Sequence, residues 1–125
     1  MSTTPRTRWI AAALLVCTAS ITACSSDGES GAATVKVTGT NTGCELAAST
    51  VKPGRVTLAF TNTATEVNEV YLTSAAGKVV GEVEDVPTGV KRNLNATVEA
   101  GEYKVTCKPG QSGNGFSSKL TVSAS

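Results

Sequence analysis

From Thr34 onward, apolar and polar residues alternate with a period of two, and turn-forming residues interrupt the alternation about every eight to twelve positions. The alternation is clearest where Val56, Leu58 and Phe60 follow the Pro-Gly turn signal at residues 52–54. Because successive side chains of a strand point to opposite faces, this pattern predicts strands with one buried face. The other predicted strands lie around Val35 and Val37, around Val70 and Leu72, and over residues 78–83, 90–98, 103–107 and 120–122.

The pattern contains no convincing helix. We predict at most one helical turn, over residues 65–71, and an irregular segment over residues 45–50. Valine, threonine, glycine, alanine and serine dominate the composition, which favours half-buried strands. The sequence therefore predicts an all-β fold, a Greek-key β-sandwich of about seven or eight short strands.

The N-terminal residues follow a different pattern. Arg6 and Arg8 precede an apolar run over residues 9–16, and small residues lead from there to Cys24. This order is typical of a signal peptide, and the apolar stretch is shorter than the about 20 residues that span a membrane. Residues 25–33 have no large apolar side chain, so we expect them to form a flexible tether.

The end of this segment, Ile21-Thr22-Ala23-Cys24, resembles the lipobox of bacterial lipoproteins. The resemblance implies cleavage before Cys24 and anchoring to the extracytoplasmic face of the cell membrane by acyl chains, such as palmitate, on that cysteine. Several acyl chains, at about 0.8 kcal/mol per buried methylene, hold a protein firmly. The alternative is an ordinary exported protein in which Cys24 is a free thiol. The predicted organisation is a signal peptide (1–23), a lipidated N-terminus with a tether (24–33) and one domain (34–125).

Charge and composition exclude several classes of function. The 11 basic and 10 acidic residues are spread singly, without the basic stripe that nucleic acid requires. The chain contains no histidine, which removes the commonest general base and the commonest transition-metal ligand. No nucleophile with a base and no phosphate-binding glycine loop is found. We therefore expect a monomer that binds no nucleic acid and is not an enzyme.

The chain has four cysteines, of which Cys17 belongs to the predicted signal peptide and Cys24 to the lipid anchor. Cys44 and Cys107 remain in the domain. In an oxidising extracytoplasmic compartment, two such cysteines most often form a disulfide. The alternative is a pair of thiolates that bind a soft metal ion, although no histidine is present to complete the usual set.

Several segments of the domain resemble the cupredoxins. They are a Pro-Gly turn that opens a strand ending in Asn62, and a strand that begins after Gly101 and runs through Tyr103 to Cys107. The closer resemblance is to the EfeO-type cupredoxin-like domain of a bacterial iron-uptake system, over Val35 to Val122. Its matching segments include Gly43-Cys44-Glu45, residues 67–72, residues 80–86 and Cys107-Lys108-Pro109-Gly110.

The resemblance implies a metal site at one end of the sandwich. Cys107 falls at the position of the copper-ligating cysteine, but Glu69 stands near the position of the first copper histidine, so a blue-copper site is not expected. What the resemblance does imply is a copper or iron ion bound by Cys44, Cys107 and Glu69, with Glu66 and Gln111 as weaker candidates. Its partner would be an iron-permease system. The helical metallopeptidase-like domain of EfeO proper has no counterpart in this sequence.

A second acidic group, formed by Glu82, Glu84 and Asp85, precedes a Pro-Gly turn. Glu82 and Glu84 share one face of a predicted strand, so they form either a second cation site or a solvated face. Two hypotheses for the whole protein remain open. The first is a membrane-anchored copper- or iron-binding module in metal uptake. The second is a metal-free, disulfide-stapled module with an interaction or structural role in the cell envelope.

Overall fold

A computed structural model describes residues 31–125, and these residues form a sandwich of two β-sheets. The predicted signal peptide, the lipidation site Cys24 and most of the tether lie outside the described residues. The nine strands are β1 (Ala33–Gly39), β2 (Cys44–Leu46), β3 (Thr50–Val51), β4 (Gly54–Asn62), β5 (Asn68–Ser74), β6 (Val79–Val86), β7 (Lys91–Val98), β8 (Gly101–Cys107) and β9 (Phe116–Val122).

The first sheet has four strands in the order β2-β1-β4-β7. β1 runs parallel to β4 over the whole of its length, and β7 pairs antiparallel with the other side of β4. The predicted alternation places Val56, Leu58 and Phe60 on the inner face of β4, where all three are buried. Asn62 continues the same alternation and is also buried.

The second sheet has five strands in the order β3-β9-β8-β5-β6. β5, β8 and β9 pair antiparallel in the centre, and β3 adds two residues in parallel to the end of β9. β6 is the edge strand next to β5, and its pairing with β5 shifts register twice. One shift lies near Asp85, whose φ of 53° marks an irregularity in the strand.

The core lies between the inner faces of the two sheets and consists mainly of valine and leucine. At one side of the sandwich, β6 packs on β7, although the two strands belong to different sheets. Gly81 makes this packing close, because a Cβ at that position would lie 2.7 Å from Cδ2 of the buried Leu94. The all-β prediction and the Greek-key sandwich are confirmed.

Two details of the prediction were wrong. The structure has nine strands rather than seven or eight, because β2 and β3, with three and two residues, are too short to show a period of two. The helical turn predicted for residues 65–71 is absent, since β5 begins at Asn68 and Thr65–Val67 form a loop. The one helical turn among the described residues is a 3-10 turn at Pro109–Gln111. Within residues 31–125, no helix is long and apolar enough to cross a membrane.

Candidate functional site

Cys44 and Cys107 form a disulfide that joins the two sheets. Cys44 begins β2 in the first sheet, and Cys107 ends β8 in the second. The two sulfurs are 2.03 Å apart and the Cα atoms 5.3 Å apart. The two residues are only 4% and 0% exposed. The predicted disulfide is therefore confirmed, and the bond belongs to the core.

Glu69 lies on the opposite face of the sheet from this disulfide. Val70 is in register with Cys107, and both point into the core, so the neighbouring Glu69 points outward. Its Oε1 lies 3.4 Å from Nζ of Lys108, and its backbone oxygen accepts a 2.9 Å hydrogen bond from the Lys108 amide. With only 6% of Glu69 exposed, Lys108 is the counter-ion that makes its burial tolerable.

Tyr71 is the next outward-facing residue of β5, and charged groups surround its ring. Nζ of Lys108 lies 5.0 Å from the ring centroid, which is within cation–π range. Partial burial above all, followed by the carboxylates of Glu69, Glu84 and Glu82, raises the pKa of Tyr71 to about 12. The phenol therefore stays neutral at physiological pH and presents a hydroxyl to the acidic side chains.

The predicted acidic group divides into two parts. Glu82 is in register with Tyr71, and Oε1 of Glu84 lies 3.5 Å from the tyrosine hydroxyl, so both glutamates face the same side of the sheet, as the spacing predicted. Asp85 is turned elsewhere and accepts a 2.8 Å hydrogen bond from Nε2 of Gln111. Gln111 therefore serves to hold the 3-10 turn against the end of β6.

Glu66 lies in the loop before β5, against Gly110 of the 3-10 turn. A Cβ on Gly110 would collide with a carboxylate oxygen of Glu66, and the φ of 72° at Gly110 also favours glycine. The Gly110 amide donates a 2.7 Å hydrogen bond to the backbone oxygen of Val67. The side chain of Glu66 is therefore exposed and lies beside the 3-10 turn.

Two buried asparagines at the same end of the sandwich were not predicted as functional or structural centres. Nδ2 of Asn62 donates 2.8 Å hydrogen bonds to the backbone oxygens of Glu66 and Val86, and its Oδ1 accepts from the Ala64 amide and from Nδ2 of Asn68. The signal for this role was a polar residue in the inward-facing series of β4. Asn62 thus links the end of one sheet to the loops of the other.

The residues present do not fit the metal site that the resemblance implied. Among residues 31–125 there is no group of three or more cysteine, histidine, aspartate or glutamate side chains that is placed to hold a metal ion. The sulfurs of Cys44 and Cys107 are bonded to each other, so neither is a thiolate ligand. Glu69 faces away from them and is paired with Lys108. The predicted set is therefore not assembled in the disulfide form.

The predicted resemblance is borne out at the level of the superfamily. The family model described as a cupredoxin-like domain matches residues 10–122, which is most of the chain. A comparison with curated proteins gives no match. Together with the two-sheet sandwich and the strand order described above, this match shows that the chain belongs to the cupredoxin-like domain family.

Proposed function

We propose that the protein is a membrane-anchored, extracytoplasmic binding module whose cupredoxin-like domain is held together by a disulfide instead of a metal ion. The observation that carries the proposal is the Cys44–Cys107 bond, which uses both candidate sulfur ligands. The Glu69–Lys108 pair supports it, because a carboxylate with a close counter-ion is a poorer ligand for a second cation. In this proposal the domain binds a partner and catalyses no reaction.

A metal titration of the full-length chain tests this proposal. We expect the oxidised protein to show no saturable binding of cupric or ferric ions in calorimetry, and its intact mass to correspond to one disulfide without bound metal. Glu69→Gln serves as the comparison variant, since it removes the one candidate carboxylate that is buried.

The competing prediction, a copper or iron module of an uptake system, requires the opposite result. Tight, stoichiometric binding by the oxidised protein, lost in Glu69→Gln, would overturn the metal-free proposal. Binding of cuprous ion that appears only after reduction and is lost in Cys107→Ala would assign the metal role to the reduced form. The metal-free proposal would then describe only the oxidised form.

The anchor is proposed from the sequence, because Cys24 precedes the described residues. In a bacterial host, we expect the chain to take up labelled palmitate and to sediment with membranes. Cys24→Ala should abolish both, whereas Cys17→Ala is a matched control that removes a cysteine of the same segment and should change neither. Equal labelling of the two variants would show that lipid is not attached at Cys24.

A further inference from the structure

The outer strand β6 presents an unpaired edge of the second sheet. β6 pairs with β5 on one side. No strand of the described residues is hydrogen-bonded to its other side, although β7 of the first sheet packs close to it at Gly81. An unpaired edge offers backbone N–H and C=O groups to an incoming extended segment. Regular pairing with β5 is confined to the middle of the strand, between Gly81 and Val83, so such a segment would be short.

The outward-facing side chains of this edge carry an excess of negative charge. Glu82 and Glu84 are exposed and lie on the same side of the sheet. Glu82 is in register with Tyr71, and Glu84 contacts the Tyr71 hydroxyl. The ion pairs of the described residues are Lys108–Glu69 and Lys119–Glu102, so neither glutamate of β6 has a cationic partner there. The edge therefore attracts a basic segment and repels an acidic one.

The neighbouring residues show how a basic side chain is received on this surface. Lys108 packs on the ring of Tyr71 and pairs with the carboxylate of Glu69. Glu82 and Glu84 offer carboxylates on the other side of the same tyrosine, towards the sheet edge. Val79 adds an apolar contact on the same strand, since it is 48% exposed, the most exposed of the large hydrophobic residues in the described part of the chain.

We propose that the β6 edge, with Glu82, Glu84 and Tyr71, is the docking site for an extended basic segment of a partner protein, which adds to the second sheet as a further strand. The proposal rests on the binding-module function above and names the surface and the chemistry of its partner. A second copy joined through the same edge is disfavoured, because its own Glu82 and Glu84 would face these residues.

A titration followed by nuclear magnetic resonance tests the proposal on the full-length chain. The probe is a short peptide in which lysine alternates with threonine, because threonine favours strands. We expect the backbone amide signals of residues 79–86 to shift and saturate with this peptide, and those amides to become protected from hydrogen exchange. A peptide in which glutamate replaces lysine should cause no shift.

Two further probes separate strand addition from charge attraction and from loss of folding. A lysine–proline peptide keeps the charge but lacks half of the N–H donors, so it should bind at least about fivefold more weakly. The double variant Glu82→Gln/Glu84→Gln should weaken lysine–threonine binding by about fivefold, since each exposed ion pair contributes modestly. The control Glu45→Gln/Glu99→Gln removes the same charge from exposed positions elsewhere and should change the affinity by less than about twofold.

Three results would overturn the proposal: no saturable shift, shifts centred outside β6, or equal affinity for the lysine–proline peptide. None of these results depends on the metal titration. If the peptide does not bind at β6, the metal-free proposal can still be tested separately.

Discussion

Asn62 is a completely buried polar residue. Its side-chain amide donates two hydrogen bonds and accepts two. In Asn62→Ala the backbone oxygens of Glu66 and Val86 lose their donor, and the Ala64 amide loses its acceptor. Each buried group left without a partner costs about 1–3 kcal/mol. We expect the free energy of unfolding, measured with urea, to fall by about 3 kcal/mol or more.

The control for this variant is Asn93→Ala, which removes an exposed asparagine from β7. Its effect should stay within about 0.5 kcal/mol, as for most surface substitutions. If the two variants were equally stable, the buried network would have no role in holding the end of the sandwich.

Tyr71 makes the stability of the protein depend on pH in the alkaline range. Its pKa is raised to about 12 in the folded protein, chiefly by burial and then by the nearby carboxylates, whereas an unfolded tyrosine titrates near 10. The stabilising contribution of the neutral phenol is therefore complete below about pH 10 and is lost as the pH rises towards about 12.

We expect the free energy of unfolding of the wild type to decline more steeply above about pH 10 than that of Tyr71→Phe, which cannot ionise there. The difference between the tyrosinate absorbance titrations of the two proteins should have its midpoint near pH 12. A midpoint close to 10 would mean that the surrounding carboxylates and burial do not act on this hydroxyl.

At the level of the strands, the packing of β6 on β7 depends on the absence of a side chain at Gly81. Gly81→Ala places a methyl group against the buried Leu94, and overpacking of this kind costs about 1–3 kcal/mol. Leu94→Val should relieve part of the collision, so the double variant is expected to be less destabilised than the sum of the single ones. Urea unfolding of the four proteins measures this coupling.

Gly31→Ala is the matched control, because a Cβ at Gly31 meets no atom within 4 Å. Two results would contradict a close contact between Gly81 and Leu94. One is that Gly81→Ala destabilises the protein no more than Gly31→Ala, and the other is that the effects of the substitutions at Gly81 and Leu94 simply add.

The strands also show what the sequence alone was able to predict. Val56, Leu58 and Phe60 alternate over a long strand with one buried face, so their positions were predicted from local pattern. β2 and β3 are too short to carry such a pattern: β2 is held by hairpin pairing with the neighbouring β1, and β3 by pairing with the distant β9. A helical turn was predicted around residues 65–71 because the pattern did not reveal that Asn68 would be buried beside Asn62.

The candidate site was predicted less completely than the fold, for a related reason. The disulfide followed from the cysteine count and the expected compartment, and it is confirmed. The outward direction of Glu69 follows from the alternation along β5, but the residue that lies beside it depends on the register between β5 and β8, which is set by the whole sheet. Local sequence therefore identified Glu69 as a special residue but did not show that Lys108 would be its partner.

For the molecule as a whole, the disulfide is expected to provide a large share of the stability. The linked cysteines are 63 positions apart, and closing a loop of that size stabilises the folded state by about 4 kcal/mol in the chain-entropy model. The double variant Cys44→Ala/Cys107→Ala should lose about this amount in urea unfolding. The wild type unfolded under reducing conditions should behave similarly, and unchanged stability in both would contradict a structural role for the bond.

The position of the same bond also determines how the domain would respond to a mechanical pull between residue 31 and its C-terminus. The force would act on β1, which pairs with β4 at seven positions, and equally on β9 at the other end of the domain. Once β1 is drawn out, tension reaches Cys44 and passes through the covalent bond directly to Cys107. The chain between these two residues, with most of the strands, stays off the load path. Only the stretches before Cys44 and after Cys107 can lengthen, so a stretched copy would give way at its two ends while the part between them carries no load.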